Sequence, residues 1–150
     1  MKRLIFIVLC CMLCIMIGFA IGKRGVFFEY VYVRSEPAYE IDIDDPDLVE
    51  SIIEVESRGD PKAISKCGAI GLMQVNWPVW KSELLKKGIT REDLFHPKKN
   101  RIAGVYILKK HYRWAKGDMR KTLQGYSGDA RLYYERVVAA YFTRKIKNGR

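Results

Sequence analysis

Residues 56–74 read ESRGDPKAISKCGAIGLMQ, and this stretch says more about the fold than any other part of the 150-residue chain. Its first residue, Glu56, closes an apolar-patterned segment and is followed at once by Ser57. A turn-rich segment then leads into residues 68–74, which read GAIGLMQ. The pattern predicts a helix that ends near Glu56 and a glycine-punctuated region after it.

The residues before Glu56 predict an amphipathic helix over 46–57. Asp45 suits the N-cap, Pro46 suits the first helical position, and Asp47 lies close to the positive end of the helix dipole. Apolar residues recur at helical spacing on the same face as Glu56: Val49, Ile52 and Ile53. Glu56 is therefore expected to share the buried face of this helix.

An apolar position changes what the carboxyl of Glu56 can do. A solvated Glu has a pKa of about 4.3 and is ionised near neutral pH, whereas apolar surroundings raise the pKa to about 6 in favourable enzymes. Such a carboxyl keeps its proton and can donate it to a leaving oxygen, as cleavage of a glycosidic bond requires. A lone Glu would more often be a helix-terminal residue paired with Lys or Arg. The 18 residues that follow Glu56 favour the first interpretation.

Five motifs follow one another in a fixed order along the chain. They are Glu56-Ser57, Pro61-x-Ala63-x-Ser65, Gly68-Ala69-x-Gly71-Leu72-Met73-Gln74, Asn100-x-x-x-Gly104-x-x-x-Leu108 and Tyr126. In this order they resemble the soluble lytic transglycosylase domain, a branch of the lysozyme-like superfamily. The resemblance covers residues 46–143. It departs from the family's Ala-Tyr-Asn-Ala-Gly motif at residues 125–129, where Ser127 replaces the usual Asn and Asp129 replaces the usual Gly.

The resemblance implies a mainly α, lysozyme-like catalytic domain of the α+β superfamily, placed after a single N-terminal apolar helix. It implies a peptidoglycan lytic transglycosylase, which cleaves the β-1,4 bond between N-acetylmuramic acid and N-acetylglucosamine. The product is a 1,6-anhydro-N-acetylmuramic acid end, formed without consuming water. No metal and no organic cofactor are required for this reaction.

The resemblance also assigns roles to single residues. Glu56 would be the catalytic acid and then the base that accepts the proton of the sugar's C6 hydroxyl. Tyr126 would hydrogen-bond Glu56 or its surroundings. The other residues expected to line the glycan groove or to hold its walls are Ser57, Ser65, Met73, Gln74 and Asn100. Asp60, the nearest acid downstream, is expected to have a solvated turn role.

Residues 1–24 are expected to form a transmembrane anchor or a signal peptide. Residues 4–22, from Leu4 to Gly22, run nineteen positions without a charge, and Lys2-Arg3 and Lys23-Arg24 flank the run. A bilayer span needs about 20 apolar residues, so we expect a single-pass anchor with the C-terminal domain facing the cell wall. A signal peptide, cleaved near Gly18-Phe19-Ala20 to leave a secreted or periplasmic protein, is the alternative.

Charge is distributed unevenly along the chain. Residues 25–45 are expected to be a tether, and residues 25–47 carry seven acidic residues and one Arg. From Leu48 onward, 22 Lys and Arg outnumber 10 acidic residues, and residues 144–150 form a predicted basic tail. A basic domain favours anionic partners such as cell-wall polymers. The scattered basic residues fit solvated helix faces and no nucleic-acid motif, so no nucleic acid is expected as a partner.

Cysteine and histidine are sparse. Three of the four Cys lie in the apolar run, so Cys67 has no disulfide partner in the predicted domain and is expected to be a small side chain beside a turn. The two His and the absence of CxxC or HExxH motifs leave no metal-ligand spacing. The sequence therefore predicts no metal site.

Beyond Gln74 the pattern predicts further helices. A short helix is expected over 77–87 with Trp80 and Leu84 inward, and a longer helix from Pro97 to Trp114. Gly104 is expected to allow close helix packing, since glycine costs a helix about 1 kcal/mol relative to Ala. Asp118 and Asp129 are predicted to cap the last two helices.

Three functional interpretations remain open, of which the lytic transglycosylase is favoured. The second is a muramidase that uses water. The third is a non-catalytic glycan-binding component of a secretion or phage assembly. The run Val75-Asn76-Trp77-Pro78 resembles small transglycosylases of secretion, conjugation or phage machines. Proteins of such assemblies, or of a virion, are therefore candidate partners beside the glycan strands.

Overall fold

The computed structural model describes residues 41–128 and 132–149, and most of these residues are helical. The elements in chain order are helix α1 (Pro46–Ser57), strands β1 (Ala69–Ile70) and β2 (Val75–Asn76), helix α2 (Trp77–Lys86), a 3₁₀ helix (Glu92–Phe95), and helices α3 (Pro97–Trp114), α4 (Met119–Ser127) and α5 (Tyr133–Lys147). The mainly α class predicted from the sequence is confirmed.

Several predicted segments are only partly described. The apolar run 4–22 and most of the tether 25–45 lie outside the described residues, as does Asp129. Helix α5 begins at Tyr133 after Leu132, without a side-chain cap, and it continues to Lys147. Residues 144–147 of the predicted basic tail are therefore helical. Across 41–128 and 132–149, no helix combines the length and the apolar character that a bilayer span needs.

Helix α1 forms as its sequence predicts. The Asp45 side chain accepts a hydrogen bond from the Asp47 N–H at 2.9 Å, and Pro46 is the first helical residue. The helix ends because Arg58 adopts a left-handed conformation with a φ of 54°. The inner face is fully or almost fully buried: Leu48, Ser51, Ile52 and Ile53. This face fixes which side of α1 points into the domain, and thereby where Glu56 emerges.

The core consists of two adjoining clusters. In the first, α1 packs against α5, and residues from both helices surround Met73 and Leu108, for example Ile52 and Val137. In the second, β1, β2 and α2 pack against α3, with Ile70, Val75, Leu84 and Ile107 at the centre. Tyr126 of α4 packs against both clusters. The GAIGLMQ segment contains β1 and the turn that leads to β2, and it lies between the two clusters.

Helix α3 packs closely against the turn that joins the two short strands. The strands are antiparallel, with Ala69 opposite Asn76 and Ile70 opposite Val75. A Cβ atom added to Gly104 of α3 would lie 2.4 Å from the Met73 Sδ atom. This confirms the prediction that Gly104 permits close packing, because no larger residue fits against the Met73 side chain.

The far end of the α1–α5 pair is tied by polar contacts. The Tyr141 O–H donates a hydrogen bond to Asp45 Oδ2 at 2.7 Å, and Lys145 Nζ lies 2.6 Å from the same oxygen. Asp45 therefore caps α1 and holds α5 at once. The two contacts tie the C-terminal half of α5 to the start of α1.

Candidate active site

Glu56 lies next to last in helix α1 and is half-buried in the wall of an open cleft. The cleft has a volume of about 350 Å³, and residues from the strand region, α2, α3 and α4 also line it. Among the predicted site residues, Glu56, Ser65, Gln74 and Tyr126 line the cleft. Glu56 is the sole acidic residue among the described residues that line it.

The carboxyl of Glu56 is held by Tyr133, the first residue of helix α5. The Tyr133 O–H donates a hydrogen bond to Glu56 Oε1 at 2.7 Å, and the Tyr133 side chain is buried. The sequence alone did not assign Tyr133 to the site. A Tyr on an apolar stripe is indistinguishable from an ordinary core residue until the fold brings it across 77 positions of sequence to Glu56.

Burial raises the pKa of the Glu56 carboxyl above its ordinary value. The hydrogen bond from Tyr133 and the positive charge of Arg136 both act in the opposite direction, because they stabilise the ionised form. The cost of desolvating the ionised form exceeds these two effects. The carboxyl thus keeps its proton to a higher pH than a solvated Glu, which is the condition for donating that proton to a substrate oxygen.

Tyr126 does not bond the carboxyl directly. Its O–H donates a hydrogen bond to the backbone carbonyl of Met73 at 2.8 Å. Burial and the nearby charge of Glu56 raise the pKa of Tyr126 well above its usual value, so the hydroxyl stays protonated. Tyr126 thus bonds the surroundings of Glu56, namely the backbone of the GAIGLMQ segment, and Tyr133 supplies the direct contact.

Ser57 joins the end of α1 to the same segment. Its hydroxyl donates to the Leu72 carbonyl at 2.7 Å and accepts from the Gly59 N–H at 3.2 Å. Ser57 is not among the residues that line the cleft. We therefore assign it to holding the wall rather than to touching glycan.

Met73 and Asn100 also lie behind the wall, and both are fully buried. Asn100 Oδ1 accepts a hydrogen bond from the Met73 N–H at 2.8 Å. Its Nδ2 donates to the carbonyls of Ile70 at 2.8 Å and Leu94 at 2.7 Å. All these groups are satisfied inside the protein, so both residues position the strand turn and do not reach a ligand in this conformation.

Ser65 and Gln74 combine a structural bond with exposure to the cleft. Ser65 Oγ accepts from the Ala69 N–H at 3.0 Å. Gln74 Nε2 donates to the carbonyls of Gly71 at 3.0 Å and Ala63 at 3.2 Å. Because the side-chain amide nitrogen is used internally, the Gln74 carbonyl oxygen is the group available to accept a hydrogen bond from a sugar.

The other acids near Glu56 have different surroundings. Asp60 is exposed on the turn after α1, and its side chain accepts from the Lys62 N–H at 2.8 Å, as expected of a turn residue. Over the described ranges no three His, Cys, Asp or Glu side chains cluster as metal ligands would. Cys67 is exposed and lines the cleft.

The mainly helical fold and the carboxyl with a raised pKa at the end of α1 agree with the lysozyme-like class expected from the sequence. The model of the "Transglycosylase SLT domain" family matches residues 36–142, so the chain belongs to the SLT transglycosylase domain family. The match spans both strands and the helices from α1 to α4, together with most of α5.

Curated relatives match a shorter region. Endo-type membrane-bound lytic murein transglycosylase A from two strains of Klebsiella pneumoniae is 55% identical over 53 residues, which is 35% of this chain and 25% of the relative. The protein of the same name from Salmonella paratyphi B is 40% identical over 53 residues, with the same shares. The chain therefore matches about a quarter of the length of these curated relatives. No solved structure matches it significantly.

Proposed function

We propose that this chain is a peptidoglycan lytic transglycosylase that cleaves the β-1,4 bond between N-acetylmuramic acid and N-acetylglucosamine. One observation carries the proposal. The carboxyl of Glu56, with its pKa raised by burial, lies in the wall of an open cleft and is oriented by the Tyr133 hydroxyl. Membership in the SLT transglycosylase domain family supports the same assignment.

The reaction would use Glu56 twice. In the first step the protonated carboxyl donates its proton to the bridging oxygen, and the bond from that oxygen to C1 of N-acetylmuramic acid breaks. In the second step the carboxylate accepts the proton of the C6 hydroxyl as its oxygen bonds to C1. The carboxyl is thereby reprotonated, the 1,6-anhydro ring closes, and no water is consumed.

The surroundings of Glu56 suit both steps. Burial favours the protonated acid before cleavage, while Tyr133 and Arg136 stabilise the carboxylate that exists between the two proton transfers. Most glycosidases employ a second carboxylate as nucleophile or base. Among the described residues that line the cleft, Glu56 has no such partner. A single-carboxylate route therefore fits this site.

Product analysis separates the proposed reaction from hydrolysis. The full chain, solubilised in detergent, should release muropeptides with anhydro ends from purified sacculi, each lighter by one water than a hydrolytic product. Mass spectrometry of the released sugars measures this difference. Reducing N-acetylmuramic acid ends would identify a muramidase, and intact sacculi beside a folded protein would point to a non-catalytic glycan-binding component of a secretion or phage assembly.

We further propose that Leu4–Gly22 anchors the chain in the membrane with the C-terminal domain facing the cell wall. The curated relatives are named membrane-bound. An anchored enzyme would open the wall locally, as secretion, conjugation or phage machines require. Alkaline extraction should leave the full chain in the membrane pellet and release a chain that lacks residues 1–24. A shortened, soluble natural form would contradict the anchor and indicate signal cleavage.

A further inference from the structure

Three aromatic side chains form a continuous platform at one side of the cleft: Trp80 of α2, and His111 and Trp114 of α3. The Trp80 and Trp114 rings are stacked, with centroids 6.1 Å apart and planes inclined by 21°. His111 meets both rings edge to face, at 5.8 Å from Trp80 and 5.2 Å from Trp114. Trp80 and His111 line the same cleft as Glu56, and the platform extends beyond the cleft to Trp114.

Charged and polar neighbours contact the platform. Lys110 Nζ lies 5.2 Å from the Trp80 ring centroid and 5.0 Å from that of Trp114, and it forms an ion pair with Glu83. The Tyr106 O–H donates to the same Glu83 carboxylate at 3.0 Å. Contacts that restrict the rotamers of these rings before binding lower the entropic cost of binding a ligand.

Gly125 leaves room for the imidazole. A Cβ atom at this position would lie 2.7 Å from His111 Nδ1, so an Ala here would displace the ring or the helix. This chain has Gly at position 125, so no side chain competes with the imidazole for this space. Burial and the charge of Lys110 lower the pKa of His111, so the ring is mainly neutral near neutral pH. This chain thus places a neutral imidazole edge-on beside the two stacked Trp side chains.

Trp114 remains 59% exposed at the C-terminal end of α3. An exposed Trp that continues a ligand cleft offers a large apolar face to that ligand. One face of a pyranose ring presents C–H groups with partial positive charge, which suit the negative face of an aromatic ring. We propose that Trp80, His111 and Trp114 form a sugar-stacking subsite that binds the glycan strand away from the bond that Glu56 cleaves.

The choice of a glycan strand as the ligand rests on the proposed function. The test therefore measures glycan binding separately from glycan cleavage. Calorimetric titrations would use the full chain carrying Glu56→Gln, with N-acetylglucosamine oligomers of two, four and six sugars as probes. Adding Trp114→Ala should weaken binding of the six-sugar oligomer about tenfold. The effect on the two-sugar oligomer should be smaller, because a short oligomer can occupy the cleft without reaching Trp114.

Two further variants control this experiment. Ile102→Ala changes a residue that is 53% exposed on the same helix and should leave binding unchanged. Trp114→Phe keeps an aromatic face and should restore part of the affinity. Equal affinity of the Trp114→Ala variant and its parent would overturn the subsite, as would Trp114-dependent binding of a sugar-free stem peptide. A loss of affinity on Trp114→Ala would support the subsite even if the Glu56-intact chain released no anhydro ends.

Discussion

Replacing Glu56 with Gln should lower the rate of glycan cleavage by about a thousandfold or more, because general acid and base catalysis by a positioned side chain contributes about this much. The amide is nearly isosteric with the protonated carboxyl, and its oxygen can still accept the Tyr133 hydrogen bond. The variant loses only the transferable proton. Release of anhydro-ended muropeptides from sacculi, measured over time, gives the rate.

The fold should survive this change. A carboxyl whose pKa is raised in the folded state contributes stability that is fully present below its unfolded pKa and is lost as the pH rises through its folded pKa. Since the pKa of Glu56 is raised, the Glu56→Gln variant should be as stable as the parent in alkaline buffer, or more stable. Thermal unfolding at several pH values measures this.

Glu54→Gln is the matched control. Glu54 lies on the same helix, is exposed, and pairs with Arg144 at the surface. An exposed pair of this kind contributes at most about 1 kcal/mol, so cleavage should continue at nearly the parent rate. Wild-type cleavage by the folded Glu56→Gln variant would remove Glu56 from the mechanism.

Replacing Tyr133 with Phe should lower the maximal rate about a hundredfold, because small displacements of a catalytic group are costly in rate. It should also change the pH profile. The lost hydrogen bond favours the ionised carboxyl, so its removal raises the pKa of Glu56 further. The alkaline limb, on which activity falls as the acid loses its proton, should move to higher pH. A purely structural role for Tyr133 would lower the rate without moving this limb.

Tyr141→Phe provides the comparison. Tyr141 lies on the same helix and is also buried, but its hydroxyl bonds Asp45 at the far end of α1. This variant should lose stability by about 1 kcal/mol for one hydrogen bond and keep the parent's alkaline limb. If both variants moved the limb equally, the shift would reflect general loosening of α5 rather than the contact with Glu56.

The parts of the site that could be predicted are those with local signals. Asp45, Pro46 and the apolar spacing that includes Glu56 lie within one helix, so capping and periodicity suffice to predict them. Gly104 was likewise predicted correctly, because an interior helix glycine costs stability unless close packing requires it.

The parts that could not be predicted depend on tertiary proximity. Tyr133 and Glu56 are brought together only when α5 packs on α1, and the stripe that carries Tyr133 resembles any core face. The two strands have two residues each, too short for a periodic signal. A sequence motif does not show whether its residues are buried or exposed, so the burial of Met73 and Asn100 could not be predicted. Trp80 was expected to point inward, whereas it both packs on the core and lines the cleft.

The two contacts that Asp45 makes with Tyr141 and Lys145 of α5 matter for the design of shortened forms of this protein. Tyr133 and Lys145 lie on the same helix, about 18 Å apart at 1.5 Å per residue. A chain cut after residue 143 would keep every described residue that lines the cleft, and it would keep the Tyr141 hydroxyl that bonds Asp45. It would lose the Lys145 ammonium group, which is the second group that ties α5 to Asp45. We therefore expect a catalytic fragment to need residues up to at least Lys145, because this ion pair helps to hold α5 on α1 and thereby Tyr133 beside the carboxyl of Glu56.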